Sequence, residues 1–92
     1  MDIFDQIAQR IVADQQLIIG PLAVEEAKRV KGLSFDTKTN ELFISGDKKK
    51  SIDELISRYE QLFGQASIEV CRDAAAPLIP QLKSDEIPTL LQ

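Results

Sequence analysis

Apolar residues recur along the first segment at the spacing of a single helical face. Ile3, Phe4, Ile7, Ala8, Ile11, Val12 and Ile18 fall on one side between Asp2 and Ile19, the pattern of an amphipathic helix. Asp2 is placed to cap its first turn, and Asp5 suits the positive end of the helix dipole. Gly20-Pro21 breaks the run. Proline fits the first turn of a second helix, where its missing N–H has no partner to lose. That helix is predicted to run to about Lys31 and stop at Gly32, with Ala23, Ala27 and Val30 as its buried stripe. Two alanines one turn apart allow another helix to approach closely.

The pattern then changes. Leu33-Ser34-Phe35 and Glu41-Leu42-Phe43-Ile44-Ser45 are short β-prone runs on either side of the turn-rich Asp36-Thr37-Lys38-Thr39-Asn40, closed by Gly46-Asp47. Alternation puts Leu33 and Phe35 on one face with Leu42 and Ile44, and the whole reads as a β-hairpin over about residues 33–46. An isolated two-stranded hairpin is marginal in water, so this one must lie on helices or pair its edge with another copy. Ser51-Ile52-Asp53-Glu54 has the form of a capping box. Behind it, Ile52, Leu55, Ile56, Tyr59, Leu62 and Phe63 form the clearest helical stripe in the chain, ended by Gly64. Residues 65–76 fit a further helix with Ile68, Cys71, Ala74 and Ala75 inward; a strand through residues 67–71 is the alternative, and the alanine run Ala74-Ala75-Ala76 favours the helix. Pro77, Pro80 and Pro88 bar a regular helix over residues 77–92, which read as an extended or disordered tail; it is more apolar than a typical linker, and packing of its leucines back on the domain is the alternative.

The expected fold is therefore α+β and mostly α. Two helix–Gly–helix units are joined by a central hairpin in one domain over residues 1–76, and the Pro-containing tail follows. Offset by 44 residues, the two units align: Ile11-Val12 falls on Leu55-Ile56, Ile18-Ile19-Gly20 on Leu62-Phe63-Gly64, Val24-Glu25 on Ile68-Glu69, Ala27-Lys28 on Cys71-Arg72 and Val30 on Ala74. Identities are few, and any two amphipathic helical hairpins joined at a glycine share part of this pattern.

Composition agrees with a small folded domain. Ninety-two residues, 43% hydrophobic and 28% charged, suffice for one modest core. The apolar content is aliphatic, with four Phe, one Tyr and no Trp. A net charge of −4 argues against a free-standing nucleic-acid binder, because phosphate neutralisation dominates such affinity. The acidic start Met1-Asp2-Ile3-Phe4-Asp5 is unlike a signal peptide. The longest apolar run, Leu17-Ile18-Ile19, is far too short to span a bilayer. With a single cysteine, Cys71, no intramolecular disulfide forms. The compartment read from these features is the cytoplasm.

Little catalytic chemistry is on offer. There is no histidine, which removes the commonest general base and zinc ligand. Cys71 is read as a buried small hydrophobe. Neighbouring acidic pairs such as Glu25-Glu26 and Asp53-Glu54 diverge by about 100° on a helix and do not converge on one site. No phosphate-binding glycine motif occurs. No cofactor, no metal and no enzymatic activity are expected. Two stretches stand out as candidate binding elements. Lys48, Lys49 and Lys50 are the only single-sign run, placed before a helix N-terminus, where an anion or nucleic acid can dock; a solvated loop that blunts a strand edge is the favoured explanation of them. The tail offers Pro77 and Pro80 at P-x-x-P spacing, and the apolar Leu90 and Leu91.

The run Leu17-Ile18-Ile19-Gly20-Pro21-Leu22-Ala23, followed by a charged helix, resembles a short helical module at the ends of some bacterial signalling proteins, including serine/threonine kinases, which carries an I-G-P-x-A turn between two helices. The hairpin at residues 33–46 departs from that module. The resemblance implies a regulatory or association role and assigns no catalytic residue. The functional expectation is a non-catalytic protein–protein interaction or assembly module, self-associating as a homodimer. Nucleic-acid or anion binding through Lys48–Lys50 is the alternative, and a small enzyme is the remotest reading.

Overall fold

The computed structural model describes residues 2–36, 38–39 and 41–92. Thr37 and Asn40, placed by the sequence in the hairpin turn, lie outside the described residues, as does Met1. The order of elements is α1 (Ile3–Ile19), α2 (Leu22–Ala27), β1 (Leu33–Phe35), β2 (Leu42–Ile44), α3 (Lys48–Phe63) and α4 (Ala66–Ala75), followed by 3-10 turns at Ile79–Gln81, Ser84–Glu86 and Thr89–Leu91. The protein is mostly helical, with an antiparallel two-stranded hairpin between its helical halves. Residues 66–75 are helix, not strand.

One core serves all elements. Ile7, Ala8, Ile11 and Val12 of α1 meet Ile52, Leu55, Ile56 and Tyr59 of α3 and Ile68, Cys71, Ala74 and Ala75 of α4. Ala23 and Ala27 bring α2 against this layer, and Leu33, Leu42 and Ile44 close it from the hairpin. The strand register is Leu33↔Ile44, Ser34↔Phe43 and Phe35↔Leu42, so the apolar alternation faces inward as the sequence requires. The outer edge of β2 is not free. Asp5 Oδ1 accepts from the Ile44 N–H at 3.0 Å, and Gln9 Oε1 accepts from the Leu42 N–H at 3.4 Å. Four residues rise about 6 Å along a helix, close to two residues along a strand, so side chains at i and i+4 of α1 match alternate amides of β2. The outer edge of β2 is thus completed within the chain.

Three local expectations are revised. Ser51 is not an N-cap: α3 starts one turn earlier, at Lys48, where the Asp47 carboxylate accepts from the Lys50 N–H at 3.1 Å. Aspartate is a strong cap and lysine a good helix former, so the helix extends back to them, and Ser51 lies inside it, buried, with its hydroxyl donating to the Lys31 carbonyl at 3.2 Å. α2 ends at Ala27 rather than near Lys31; the chain then tightens through i→i−3 bonds from Arg29 and Val30 to turn at Gly32 into β1. The prolines do keep residues 77–92 from a regular helix, but the segment folds back onto α3 and α4 rather than standing away as an extended or disordered tail. The Asp53 carboxylate of α3 accepts from the Thr89 and Leu90 N–H groups at 3.1 and 2.9 Å. Leu78, Pro88 and Leu91 are buried, and their apolar area is what holds the tail down.

The two helix–Gly–helix units share a backbone as well as a pattern. Gly20 (φ 70, ψ −149) and Gly64 (φ 83, ψ −177) take the same glycine-favoured conformation. Each closes the preceding helix through its N–H, to Gln16 at 2.9 Å and to Glu60 at 2.8 Å, and each accepts from the residue three ahead, Ala23 at 3.1 Å and Ser67 at 3.0 Å. Pro21 (φ −58, ψ −22) and Gln65 (φ −64, ψ −26) follow them alike. The contact between units is reciprocal. Tyr59 Oη donates to the Ala23 carbonyl at 2.7 Å, and Gln15 Nε2 donates to the Ser67 carbonyl at 3.0 Å. Tyr59 lies 44 residues beyond Gln15, and Ser67 lies 44 beyond Ala23. Each unit thus reaches from the same position in its first helix to the same position in the second helix of the other, a pseudo-two-fold arrangement that supports the repeat.

Candidate functional site

The small residues of α2 and α4 create this junction. Because Ala23 and Ala27 face α3, and Ser67 and Cys71 face α1, a polar side chain from the opposite helix reaches the backbone itself. Gln15 and Tyr59 are both fully or almost fully buried, and each has its partner, as buried polar groups require. Gln15 also lies 3.4 Å from Cys71 Sγ. Burial, with the nearby Cys71 and Glu26 charges, holds the Tyr59 phenol well above its ordinary ionisation range. Burial likewise pushes the Cys71 thiol up to about 11, reinforced by Asp14 and only partly opposed by the Gln15 hydrogen bond. Cys71 is therefore an inert packed thiol at neutral pH. Gln15 was not singled out from the sequence, although its place one turn beyond Ile11 puts a polar residue on the apolar face, and that is the signal that marks it.

Each glycine break lies three residues before a junction carbonyl, Gly20 before Ala23 and Gly64 before Ser67. Of the large apolar side chains that remain exposed among the described residues (Leu17, Ile18, Leu22, Phe43 and Leu62), all but Phe43 lie within three residues of Gly20 or Gly64. Ile18 and Leu62 occupy the same position in the two units, as do Ile19 and Phe63, which are partly buried against the core. No side chain from Gln15 to Val24 or from Gln61 to Ile68 is charged.

The three lysines form the first turn of α3. Lys48 pairs with Asp2 and lies 3.8 Å from Asp5 Oδ1. Although partial burial works against it, the Asp2 carboxyl is held below its ordinary range by Lys48 and by the Asp5 and Phe4 backbone N–H groups; the hydrogen bond to Asp2 in turn raises the Lys48 ammonium. Lys49 Nζ donates to the Asp85 carbonyl at 3.0 Å, pinning the tail. Lys50 is exposed and lines an open cleft of about 550 Å³ with Lys31, Gly32, Asp47, Ser51 and Glu54. Acidic groups thus surround the run, and the carboxylate of Asp47 already occupies the helix N-terminus. Pro77 and Pro80 are exposed, but Leu78 between them has helical dihedrals (φ −100, ψ −20) and Pro80 sits inside a 3-10 turn, so the pair does not present an extended polyproline face. Leu90 is half-buried and Leu91 is buried. The structure brings the tail leucines to α3 and α4, and leaves them apart from the lysine turn's free surface at Lys50.

Most carboxylates already have structural partners. Asp2 and Asp47 cap helices, Asp53 caps the tail, and Glu54 accepts from the Lys31 N–H at 3.1 Å. Glu26 lies 3.6 Å from Arg58 and 3.8 Å from Arg29. Among the described residues no group of three or more acidic or cysteine side chains is placed to hold a metal ion, and no helix is long and apolar enough to cross a membrane. No protein-family model matches the chain, and neither a curated protein nor a solved structure does.

Proposed function

We propose that this domain is a non-catalytic interaction and assembly module that self-associates as a homodimer in the cytoplasm. The observation that carries the reading is the distribution of exposed apolar side chains: four of the five large ones gather at the two helix–Gly–helix breaks. Exposed large apolar groups concentrated in two short segments, rather than scattered along the chain, support an interaction role. Most ionisable groups, by contrast, serve as caps and ion pairs, and of those that line the cleft beside Lys50 the Asp47 and Glu54 carboxylates already accept backbone N–H groups. The resemblance of the run from Leu17 to Ala23 to the end modules of bacterial signalling proteins supports a regulatory use of the same association.

Sedimentation velocity of the intact chain from low to high micromolar concentration tests the reading. The expected result is a reversible, concentration-dependent shift from monomer to dimer mass; a strictly monomeric mass throughout would refute it.

A further inference from the structure

We propose that the outer edge of β1 docks an extended peptide of another protein, which joins the hairpin as a third, antiparallel strand and sets one apolar side chain beside Phe35. Such docking does not require self-association.

Hydrogen bonds alternate along an antiparallel pair. The Ser45 N–H donates to the Gly32 carbonyl and the Asp36 N–H to the Glu41 carbonyl, each at 2.9 Å, while Leu33 lies opposite Ile44 and Phe35 opposite Leu42. The main-chain groups of Leu33 and Phe35 therefore point away from β2, as those of Leu42 and Ile44 point away from β1. The two edges then differ. On β2, Gln9 and Asp5 take the Leu42 and Ile44 N–H groups. On β1, the Leu33 N–H donates to the Val30 carbonyl at 3.2 Å, and among the described residues nothing bonds to the Phe35 N–H or to the Leu33 and Phe35 carbonyls. A donor and two acceptors in a row are the complement of an extended main chain. A peptide residue opposite Phe35 exchanges both bonds with it, and the peptide residue two further on donates to the Leu33 carbonyl.

The surroundings set the chemistry of the peptide. Its residue opposite Phe35 projects from the same face of the sheet as Phe35. That face carries a groove of about 250 Å³ lined by Val12, Ala13, Val24, Phe35 and Leu42, with Gln9 and Gln16 as its polar members. A charge-free groove of this size takes one large aliphatic side chain. The approach to β1 is basic: Lys28 and Lys31 are exposed and form no ion pair among the described residues. An antiparallel peptide runs toward that end after its aliphatic residue, so acidic residues follow on its C-terminal side. A second copy of β1 is a poorer match. Paired about Ser34, each Phe35 carbonyl would face a Leu33 N–H that Val30 already holds. The acidic residue that follows Phe35 is also engaged, because the Asp36 carboxylate accepts from the Lys38 and Thr39 N–H groups of its own turn.

Titration of the isotope-labelled full chain with the capped peptide Lys-Thr-Val-Thr-Ile-Thr-Val-Glu-Glu-Glu, read by amide NMR shifts and hydrogen exchange, tests the proposal. Binding should saturate, with exchange of the Phe35 amide slowed by about tenfold or more and the Leu42 and Ile44 amides unchanged. N-methylation of the peptide at the isoleucine amide, which faces the Phe35 carbonyl, should weaken binding by about tenfold. N-methylation at the threonine that follows, whose N–H points away, should not weaken it. Exchange of the isoleucine for serine, or of the three glutamates for lysines, should each weaken it by about tenfold or more, as should Gln16→Lys at the exposed side of the groove. No saturable shift up to about 1 mM peptide, equal losses from both N-methyl peptides, or shifts centred on Lys48–Lys50 would each overturn the proposal. Protection of the Phe35 amide that grows with protein concentration in the absence of peptide would assign the edge to a second copy and overturn it as well.

Discussion

Replacing Tyr59 with phenylalanine removes one oxygen from the junction between the two halves and leaves the ring in place. The hydroxyl is fully buried and donates to the Ala23 carbonyl at 2.7 Å. Net loss of such a bond costs about 0.5–1.5 kcal/mol, and a buried carbonyl deprived of a partner adds about 1–3 kcal/mol when no water replaces it. Ala23 is itself fully buried, but its carbonyl lies in the first turn of α2 and keeps its helical bond there, which holds the expected total to about 1–2.5 kcal/mol. For a domain of this size that lowers the melting temperature by roughly 5–15 °C and the urea midpoint by about 0.5–1.5 M. Differential scanning calorimetry and urea titration followed by far-UV circular dichroism both read it. The pH dependence has a definite sign. Burial raises the Tyr59 ionisation above its unfolded value of about 10, so its contribution is complete below pH 10 and is lost as pH rises beyond it. The gap between wild type and variant must therefore narrow on the alkaline side. A melting temperature within about 2 °C of wild type at pH 7, or a gap that stays constant through pH 11, would refute the view that this hydroxyl fastens the two units.

Other consequences follow from single contacts. A Cβ at Gly32 (φ +90) would meet the Ser45 carbonyl oxygen at 2.7 Å, whereas one at Gly46 (φ +83) meets nothing within 4 Å; Gly32→Ala should destabilise by about 1–3 kcal/mol more than Gly46→Ala, the difference being the overpacking cost, and equal urea midpoints would count against the close approach. Asp53→Ala removes the acceptor of the Thr89 and Leu90 amides, so hydrogen exchange at these amides should quicken by about tenfold or more, in keeping with a lost cap of about 1–2 kcal/mol; unchanged exchange would show that the tail is held by its apolar contacts alone. Asp2→Asn keeps a capping side chain but removes the charge opposite Lys48. Its effect at pH 7 should stay under about 1 kcal/mol, since the Asp2 side chain is 45% exposed. Because the folded-state Asp2 carboxyl is lowered, that difference is present above about pH 3.9 and disappears as the pH falls below it; a gap in melting temperature that widens in acid would contradict the pairing.

Local patterns in the chain were enough to place most elements. The 3.6-residue spacing of Ile3 to Val12 and of Ile52 to Phe63 marks α1 and α3, because it fixes which side of each helix must leave water. The alternation in Leu33, Phe35, Leu42 and Ile44 fixes the buried face of the hairpin for the same reason. The cap of α3 was misplaced because both Asp47 and Ser51 satisfy the local rule, and only the helix-forming lysines between them decide for the earlier one. Of the candidate site residues, the lysines are visible as a run. Their partners Asp2 and the Asp85 carbonyl are distant in sequence, and nothing local distinguishes a free ammonium from an engaged one.

Residue order alone sets the faces: two amphipathic helix–Gly–helix units of matching period, a two-sided hairpin and a tail unable to form a regular helix. Which faces meet is a matter of packing in three dimensions. It covered the β2 edge with Asp5 and Gln9, turned the tail's leucines inward under Asp53, and crossed the two units through Gln15 and Tyr59. Periodicity reports burial, which depends on each residue's own neighbours along the chain. Pairing depends on the fit between surfaces many residues apart, where a single carbonyl left accessible by alanine or serine receives the donor. Leu17, Ile18, Leu22 and Leu62 beside the two glycines stay exposed among the described residues, and the proposed association begins there.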